Sequence, residues 1–327
     1  MSNDPAATEI VVRAPARLHF GMLDPAGLGT RRFGGFGVAV EAPRVVVALR
    51  VAPGAPDPVT SSGPQAERAA AFARRARSEL GLGDPLEVEV RAAIPAHMGL
   101  GSGTRLGLAV TRGVAELAGR AVGVELLARA SGRGARSSVG AWTFVAPGLV
   151  VEAGVGGDGD VSPLLVRCPV PERWRCVLAL PEGGEGLSGS AEERFFGQLE
   201  RSGSGEPPVA RLLLTSVLPG LMSGDIQEFG AGLSEIQRQI GAIFASQQGG
   251  VFHPSAAPLV DGLAALGVGA VGQSSWGPTV YGIVDGPERA AEVADELRRR
   301  VRAAEVSVVD FDRRGAVCER REQRGRS

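Results

Sequence analysis

The stretch Ile94-Pro-Ala-His-Met-Gly-Leu-Gly-Ser-Gly-Thr104 constrains this chain more than any other. Before it, Leu86-Glu-Val-Glu-Val-Arg-Ala-Ala93 alternates apolar and polar residues as a half-buried strand does. After it, Leu106, Leu108, Ala109, Val110, Val114 and Leu117 recur on one face of a helix over Arg105–Leu117. Strand, glycine-rich loop and helix N-terminus together make an anion site. Small residues let backbone N–H groups converge on a phosphate, and the helix dipole favours negative charge there. The spacing is not that of a Walker A loop, which needs G-x-x-x-x-G-K-[ST], nor that of G-x-G-x-x-G.

The chemistry available to such a site is limited by one absence. The 327 residues contain no lysine, and all 35 basic residues are arginine. Schiff-base chemistry and lysine-assisted phosphoryl transfer are therefore excluded. Phosphate recognition falls to backbone amides, hydroxyls and arginine forks. A net charge of −1 gives no bulk attraction to nucleic acid or acidic membranes. No apolar run approaches the roughly 20 residues of a membrane span, and the expectation is a soluble, cytoplasmic protein. Cys168, Cys176 and Cys318 lack metal-ligand spacing, so no metal site of the protein's own is expected.

Residues 1–8 read as a disordered lead and Glu9–Arg13 as a short strand. Gly27–Gly37 reads as a loop facing the site, and Val38–Val51 as a strand pair broken at Pro43. Gln65–Leu80 and Val124–Ala130 are helical in pattern, Ser131–Gly140 is a second glycine-rich bend, and Trp142–Ala153 reads as a hairpin turning at Pro147-Gly148. The composition changes at Gly154–Pro171, which places a first domain at 9–170 and a second at 171–312, with a mobile arginine-rich tail at 313–327. In the second half Trp174–Leu180, Thr279–Val284 and Glu305–Asp310 read as strands. Ser190–Leu199, Val209–Leu218, Ile226–Phe244, Ala257–Leu266 and Pro287–Ala303 read as helices. That mixture is compatible with an α+β, ferredoxin-like layer.

Pro95-x-x-x-Gly-Leu-Gly-Ser-Gly-Thr104 resembles the phosphate-binding motif of the GHMP kinase superfamily. Ala14-Pro-Ala-Arg-Leu-His-Phe-Gly-Met-Leu-Asp24, Gly132-Arg-Gly-Ala-Arg-Ser-Ser-Val-Gly140 and Gly269-Ala-Val-Gly-Gln-Ser-Ser-Trp-Gly-Pro278 resemble one branch of it, the β-ribofuranosylaminobenzene 5′-phosphate synthases. The resemblance runs from about Ile10 to about Asp312. It implies an α+β, two-domain GHMP-kinase-like fold, with an N-terminal domain like ribosomal protein S5 domain 2 and a ferredoxin-like C-terminal domain. It also implies a decarboxylating phosphoribosyltransferase of tetrahydromethanopterin biosynthesis and one-carbon metabolism. Such an enzyme joins phosphoribosyl pyrophosphate to 4-aminobenzoate or 4-hydroxybenzoate and releases CO2 and pyrophosphate. Mg²⁺ accompanies the diphosphate, no organic cofactor is needed, and the usual assembly is a homodimer without nucleic-acid or membrane partners. An ATP-dependent small-molecule kinase, a non-catalytic metabolite sensor of the same fold and a paralogue with a changed ribosyl acceptor are the competing readings.

Candidate residues follow from both readings. Gly99, Gly101, Ser102, Gly103 and Thr104 are the phosphate loop. Asp24 stands before a Pro-Ala-Gly turn, where an Asp either bonds its own backbone or, as the resemblance implies, acts as general base or stabilises charge on ribose. Arg31 and Arg32 lie in a glycine-flanked loop and offer forks to phosphate or carboxylate, with Arg31 favoured. Arg17 and His19 share one face of a strand, and a histidine there is more often structural than catalytic. Arg136, Ser137 and Ser138 offer a cation and hydroxyls at the second bend, against an ordinary polar loop. Gln248, Gln273, Ser274, Ser275 and Trp276 line up with segments that face the cleft in the superfamily. Trp276 is either a stacking surface or a core anchor. His97 is expected to be a loop residue without a special role.

Overall fold

The structure is a computed structural model that describes residues 8–132, 137–156, 161–187, 189–202 and 209–322. Its first sheet begins with β1 (Thr8–Gly21) and β2 (Gly35–Val51), which pair antiparallel with Arg13 opposite Val46 and Leu18 opposite Val38. β1 is buried along most of its length, and β2 is buried over Gly35–Val40 and at Val45 and Val47–Leu49, as their apolar runs require. β3 (Val59–Ser62) runs parallel to β4 (Leu86–Ala92), and α1 (Ala66–Leu80) makes the crossover between them. The glycine loop then leads from β4 into α2 (Ser102–Leu117), which lies across β1 and β2. Leu106, Leu108, Val110 and Val114 of α2 are at most 1% exposed, each such burial being worth about 1.5–3 kcal/mol. α3 (Val124–Ser131), α4 (Val139–Val145), β5 (Leu149–Glu152) and β6 (Leu164–Cys168) complete this layer.

The second sheet is built from β7 (Trp174–Pro181) and three later strands. Between them come α5 (Gly189–Ser202), then α6 (Val209–Leu212), which passes through a π turn at Leu213–Val217 into α7 (Leu218–Ser223). α8 (Ile226–Gln248), α9 (Ala257–Ala265), β8 (Ala270–Gln273), β9 (Val280–Asp285), α10 (Pro287–Arg300) and β10 (Ala304–Val309) follow. The strand order is β10-β7-β9-β8, antiparallel throughout, which is the order of a ferredoxin-like sheet. α9 and α10 cover one face through Leu259, Leu263, Val293 and Leu297. α8 covers the other through Phe229, Leu233 and Ile236 and also touches β1, so it stands between the two sheets. Asp225 caps α8, accepting from the N–H groups of Gln227 and Glu228.

The short strand expected at Glu9–Arg13 is part of the 14-residue β1, and four further expectations differ from the fold. Trp142–Val145, expected as the first arm of a hairpin over Trp142–Ala153, instead ends the helix Val139–Val145, because the guanidinium of Arg105 holds the carbonyl of Gly140 at 2.7 Å and the hydroxyl of Thr143 at 2.8 Å; of the expected hairpin only Leu149–Glu152 is strand. Val38–Val51 is not a broken pair but part of one long strand, whose register with β1 shifts between Pro15 and Ala16 and so absorbs Pro43. The helix after Val209 runs past Pro219-Gly220, since Gly220 lets α8 approach: a Cβ there would lie 2.4 Å from the nitrogen of Phe229. Part of the tail is ordered, because Val317–Glu322 forms β11 on the free edge of β1, with Thr8 opposite Glu322 and Arg13 opposite Val317. The first sheet therefore has the order β11-β1-β2-β4-β3, with β5 joining β2 to β6.

Candidate functional site

Three segments distant in sequence are stitched together at the end of β1. Arg17 donates from its guanidinium to the carbonyl of Gly99 and from its backbone N–H to that of Leu100 at 3.2 Å. The Ser274 hydroxyl, wholly buried, accepts from the N–H of His19 at 3.0 Å and donates to the same Gly99 carbonyl at 2.8 Å. Ser275 returns a bond from its N–H to the His19 carbonyl at 3.1 Å. The approach is close enough that a Cβ on Gly99, whose φ is +77°, would sit 2.1 Å from the Ser274 carbonyl oxygen.

α2 starts at this junction with Gly101 in the left-handed region and no side-chain cap. The first N–H groups of the helix, on Ser102, Gly103 and Thr104, therefore face the adjoining cavity of about 170 Å³. Arg17, Arg68, His97, Gly99, Glu192, Ser275 and Trp276 are among its walls. Burial pulls the Arg17 guanidinium down to about 10, Glu192 acting in the opposite direction, so the side chain stays cationic at neutral pH. Arg68 is aimed by Gln65, which accepts from it at 3.0 Å and donates to the Ile94 carbonyl at 3.1 Å while itself holding φ at +59°. His97 and Ser275 also have positive φ, at 58° and 55°. Strained backbone thus gathers at this cavity, as it does at ligand sites.

A narrower cleft adjoins it, with Ser275 and Trp276 common to both. Its walls include His19, Met22, Ile240, Phe244, Phe252 and a chain of amides. Gln237 donates to the Phe20 carbonyl and accepts from the Gln273 N–H at 2.8 Å. Gln273 donates to Gln248 at 3.1 Å and accepts from the His253 N–H at 2.7 Å. The free volume is about 30 Å³, room for about one water. That space is smaller than a benzene ring, so an aromatic ligand has to widen the cleft.

His19 is buried, and burial together with Arg17 pulls its pKa down to about 3, so the imidazole is neutral. Its Nε2 lies 3.1 Å from the Ser137 hydroxyl, which donates to Glu152 at 2.9 Å. Glu152 also accepts from the Ser138 N–H at 3.0 Å; burial pushes its carboxyl above the usual range, the surrounding donors pulling it partly back.

The structure thus brings together Arg17, His19, Gly99, Gly101, Ser102, Gly103, Thr104, Gln248, Gln273, Ser274, Ser275 and Trp276 around two adjoining spaces. Ser137 and Ser138 lie behind His19, outside the walls of the phosphate-loop cavity. Asp24 lines neither space: its Oδ1 accepts from the Leu28 N–H at 3.0 Å and its Oδ2 from the Gly29 N–H at 2.8 Å. Arg31 and Arg32 are exposed, Arg31 donating to the Gly154 carbonyl at 3.1 Å and Arg32 lying 5.8 Å from the ring centre of Phe33. Arg136 lies outside the described residues. Arg68, Gln237 and Glu152 carry no signal in the sequence pattern. Arg68 reads as one more arginine on a basic helix, and Gln237 and Glu152 find partners only through the tertiary fold. Among the described residues no three His, Cys, Asp or Glu side chains are grouped to hold a metal, and no helix is long and apolar enough to cross a membrane.

Comparison with known proteins bears on the fold and the family. Residues 66–144 match the GHMP kinases N-terminal domain and residues 217–303 the GHMP kinases C-terminal model. The chain is 29% identical to a β-ribofuranosylphenol 5′-phosphate synthase of Methanothermobacter thermautotrophicus, over 94% of this chain and 98% of that protein. It is 30% identical to one of Archaeoglobus fulgidus, over 84% and 87%. The crystal structure of homoserine kinase from Cytophaga hutchinsonii superposes with a TM-score of 0.66 at 16% identity, covering 98% of this chain and 99% of that one. With a GHMP kinase fold and this extent of likeness, the chain belongs to the β-ribofuranosylphenol 5′-phosphate synthase family.

Proposed function

We propose that this protein condenses phosphoribosyl pyrophosphate with 4-hydroxybenzoate or 4-aminobenzoate, releasing CO2 and pyrophosphate on the way to tetrahydromethanopterin. The observation that carries the reading is the shared wall: an anion cavity and an aromatic cleft meet at Ser275 and Trp276. A reaction between a diphosphate ester and a benzoate needs such a pair. The phenol in the name of the relatives favours 4-hydroxybenzoate as acceptor.

In this reading the amides of Ser102, Gly103 and Thr104, with Arg17 and Arg68, neutralise the diphosphate as it leaves ribose C1. The ring carbon that bears the carboxylate attacks the resulting cation, because the para substituent pushes electron density there. Loss of CO2 then restores aromaticity. Trp276, Phe244 and Phe252 keep water from the cation. Glu192 is the carboxylate in the anion cavity, and one carboxylate plus substrate oxygens is the usual surrounding of Mg²⁺. A magnesium ion carried in by the diphosphate would supply charge neutralisation to the leaving group.

The test is turnover of purified protein with Mg²⁺, phosphoribosyl pyrophosphate and each benzoate, following CO2 and pyrophosphate. Release of both in equal amounts supports the reading. Pyrophosphate without CO2 means hydrolysis of the donor or a different acceptor. Consumption of ATP with a metabolite, and no release from the benzoates, returns the chain to the kinases.

A further inference from the structure

A buried carboxyl group stands behind His19 that the condensation as written does not use. Glu152 closes β5 and is 0% exposed. Its Oε1 takes the Ser137 hydroxyl and the Ser138 N–H, and the Ser162 hydroxyl and the Gly154 N–H also stabilise the charged carboxylate. A serine hydroxyl has one proton, and that of Ser137 is directed at Glu152. Towards His19 Nε2, 3.1 Å away, it can therefore only accept. Nε2 carries the imidazole proton, and Nδ1 is left as the basic nitrogen of a neutral ring. The Val139 N–H steadies the same hydroxyl at 3.3 Å. Gly35 leaves the ring its place against β2, since a Cβ there would come within 3.1 Å of Nε2 and 3.2 Å of Cε1. The ring itself lines the aromatic cleft.

We propose that His19 is the base that holds the para-hydroxyl proton of a hydroxybenzoate acceptor, and that Glu152, acting through Ser137, is the positioning residue that places a carboxylate behind the ring. The inference rests on the function proposed above. As the ring carbon bonds to ribose C1, pyrophosphate departs with the electron pair of the broken C–O bond. The acceptor O–H pair becomes a C=O bond, and its proton passes to His19 Nδ1. When the bond to CO2 breaks, its electron pair restores the ring and the oxygen takes the proton back. No proton is gained or lost over the cycle. An aminobenzoate acceptor has less need of the base, because its iminium nitrogen keeps both protons until CO2 leaves.

That difference supplies a test that damage to the fold does not imitate. Turnover of the full chain, of Glu152→Gln and of Ser137→Ala is measured with three acceptors. These are 4-hydroxybenzoate, 4-aminobenzoate and 3,5-difluoro-4-hydroxybenzoate, whose more acidic phenol is ionised near neutral pH. Both variants are expected to lose at least about tenfold more kcat with 4-hydroxybenzoate than with 4-aminobenzoate, with the acceptor KM little changed. The difluoro acceptor should recover most of the loss. Equal losses with all three acceptors, or none with 4-hydroxybenzoate, overturn the inference and leave the function standing. Absence of turnover by the unsubstituted chain with every acceptor overturns both, whereas turnover with 4-aminobenzoate alone overturns the inference and leaves the function standing.

Discussion

Trp276 stacks on Phe244 with ring centroids 4.1 Å apart and planes 17° from parallel. Phe195 and Phe196 of α5 meet it edge-on at 5.0 and 6.0 Å, and its indole N–H donates to Glu192 at 3.1 Å. The residue is only 4% exposed, so it is the partition between the two spaces, held by α8 and α5. Trp276→Ala should cost about 3–5 kcal/mol of stability. Trp276→Phe, which loses the N–H bond and part of the ring, should cost about 1–2 kcal/mol. Urea unfolding measures both, and equal costs would contradict the partition.

Gly99 and Gly83 make a matched pair. A methyl group on Gly99 meets the Ser274 carbonyl at 2.1 Å, whereas one on Gly83 meets nothing within 4 Å. Gly99→Ala should raise the KM of the phosphorylated donor by at least about tenfold, roughly 1.4 kcal/mol. Gly83→Ala should leave it within about twofold, a contrast read in the same steady-state assay.

Arg68 lines the anion cavity, whereas Arg31 is exposed and tied to the Gly154 carbonyl. A charge-assisted hydrogen bond is worth about 1.5–3 kcal/mol, so Arg68→Ala should weaken donor binding by about ten- to hundredfold. Arg31→Ala should change it by less than about threefold. Titration with inorganic pyrophosphate checks both, and the opposite ranking would move the donor site towards the loop of Arg31.

Asp24 organises its own loop, both carboxylate oxygens accepting backbone N–H groups while its main chain pairs with Phe33 at 2.7 and 2.9 Å. Asparagine offers one acceptor where aspartate offers two. Asp24→Asn should therefore cost about 1–3 kcal/mol and free the loop. Limited proteolysis between Asp24 and Phe33 reports it. A variant as resistant as the parent but without turnover would instead make Asp24 catalytic.

Glu152 gives the protein a stability signature in pH. Burial raises its folded-state pKa above the ordinary carboxylate value of 4.5, so the folded chain binds the proton more tightly than the unfolded one. The resulting stability is fully present below 4.5 and is lost as pH rises through the folded value. The stability of Glu152→Gln relative to the parent should accordingly grow as pH rises from about 4 to 7. Urea midpoints across that range measure it, and a constant difference would mean that the carboxyl titrates normally.

What the sequence makes legible is local. The phosphate loop is readable because its glycines, the strand before it and the helix after it form one continuous pattern. The apolar stripe Phe229, Leu233, Ile236, Ile240 and Phe244 is readable because its period is that of a helix, and all five are buried. The helix at Val139–Val145 escapes, since its β-branched and aromatic residues favour a strand while Arg105 from α2 secures the helical turn. Glu152 escapes for a related reason. It follows Leu149-Val-Val151 as the polar end of a strand, and the hydroxyl it serves is brought near by folding. The charged run Cys318-Glu-Arg-Arg-Glu322 gives no sign of a strand, because its pairing partner lies at the opposite end of the chain.

That last pairing has a consequence for biosynthesis. The ribosome delivers β1 before, and β11 after, every element of the second sheet, yet the two are neighbours. The nascent chain therefore carries an unfinished β1, its outer backbone groups open to any passing strand, for as long as the second domain takes to be made. Shortening the chain before Val317 would make that transient state permanent. The first domain is begun before the second and sealed after it.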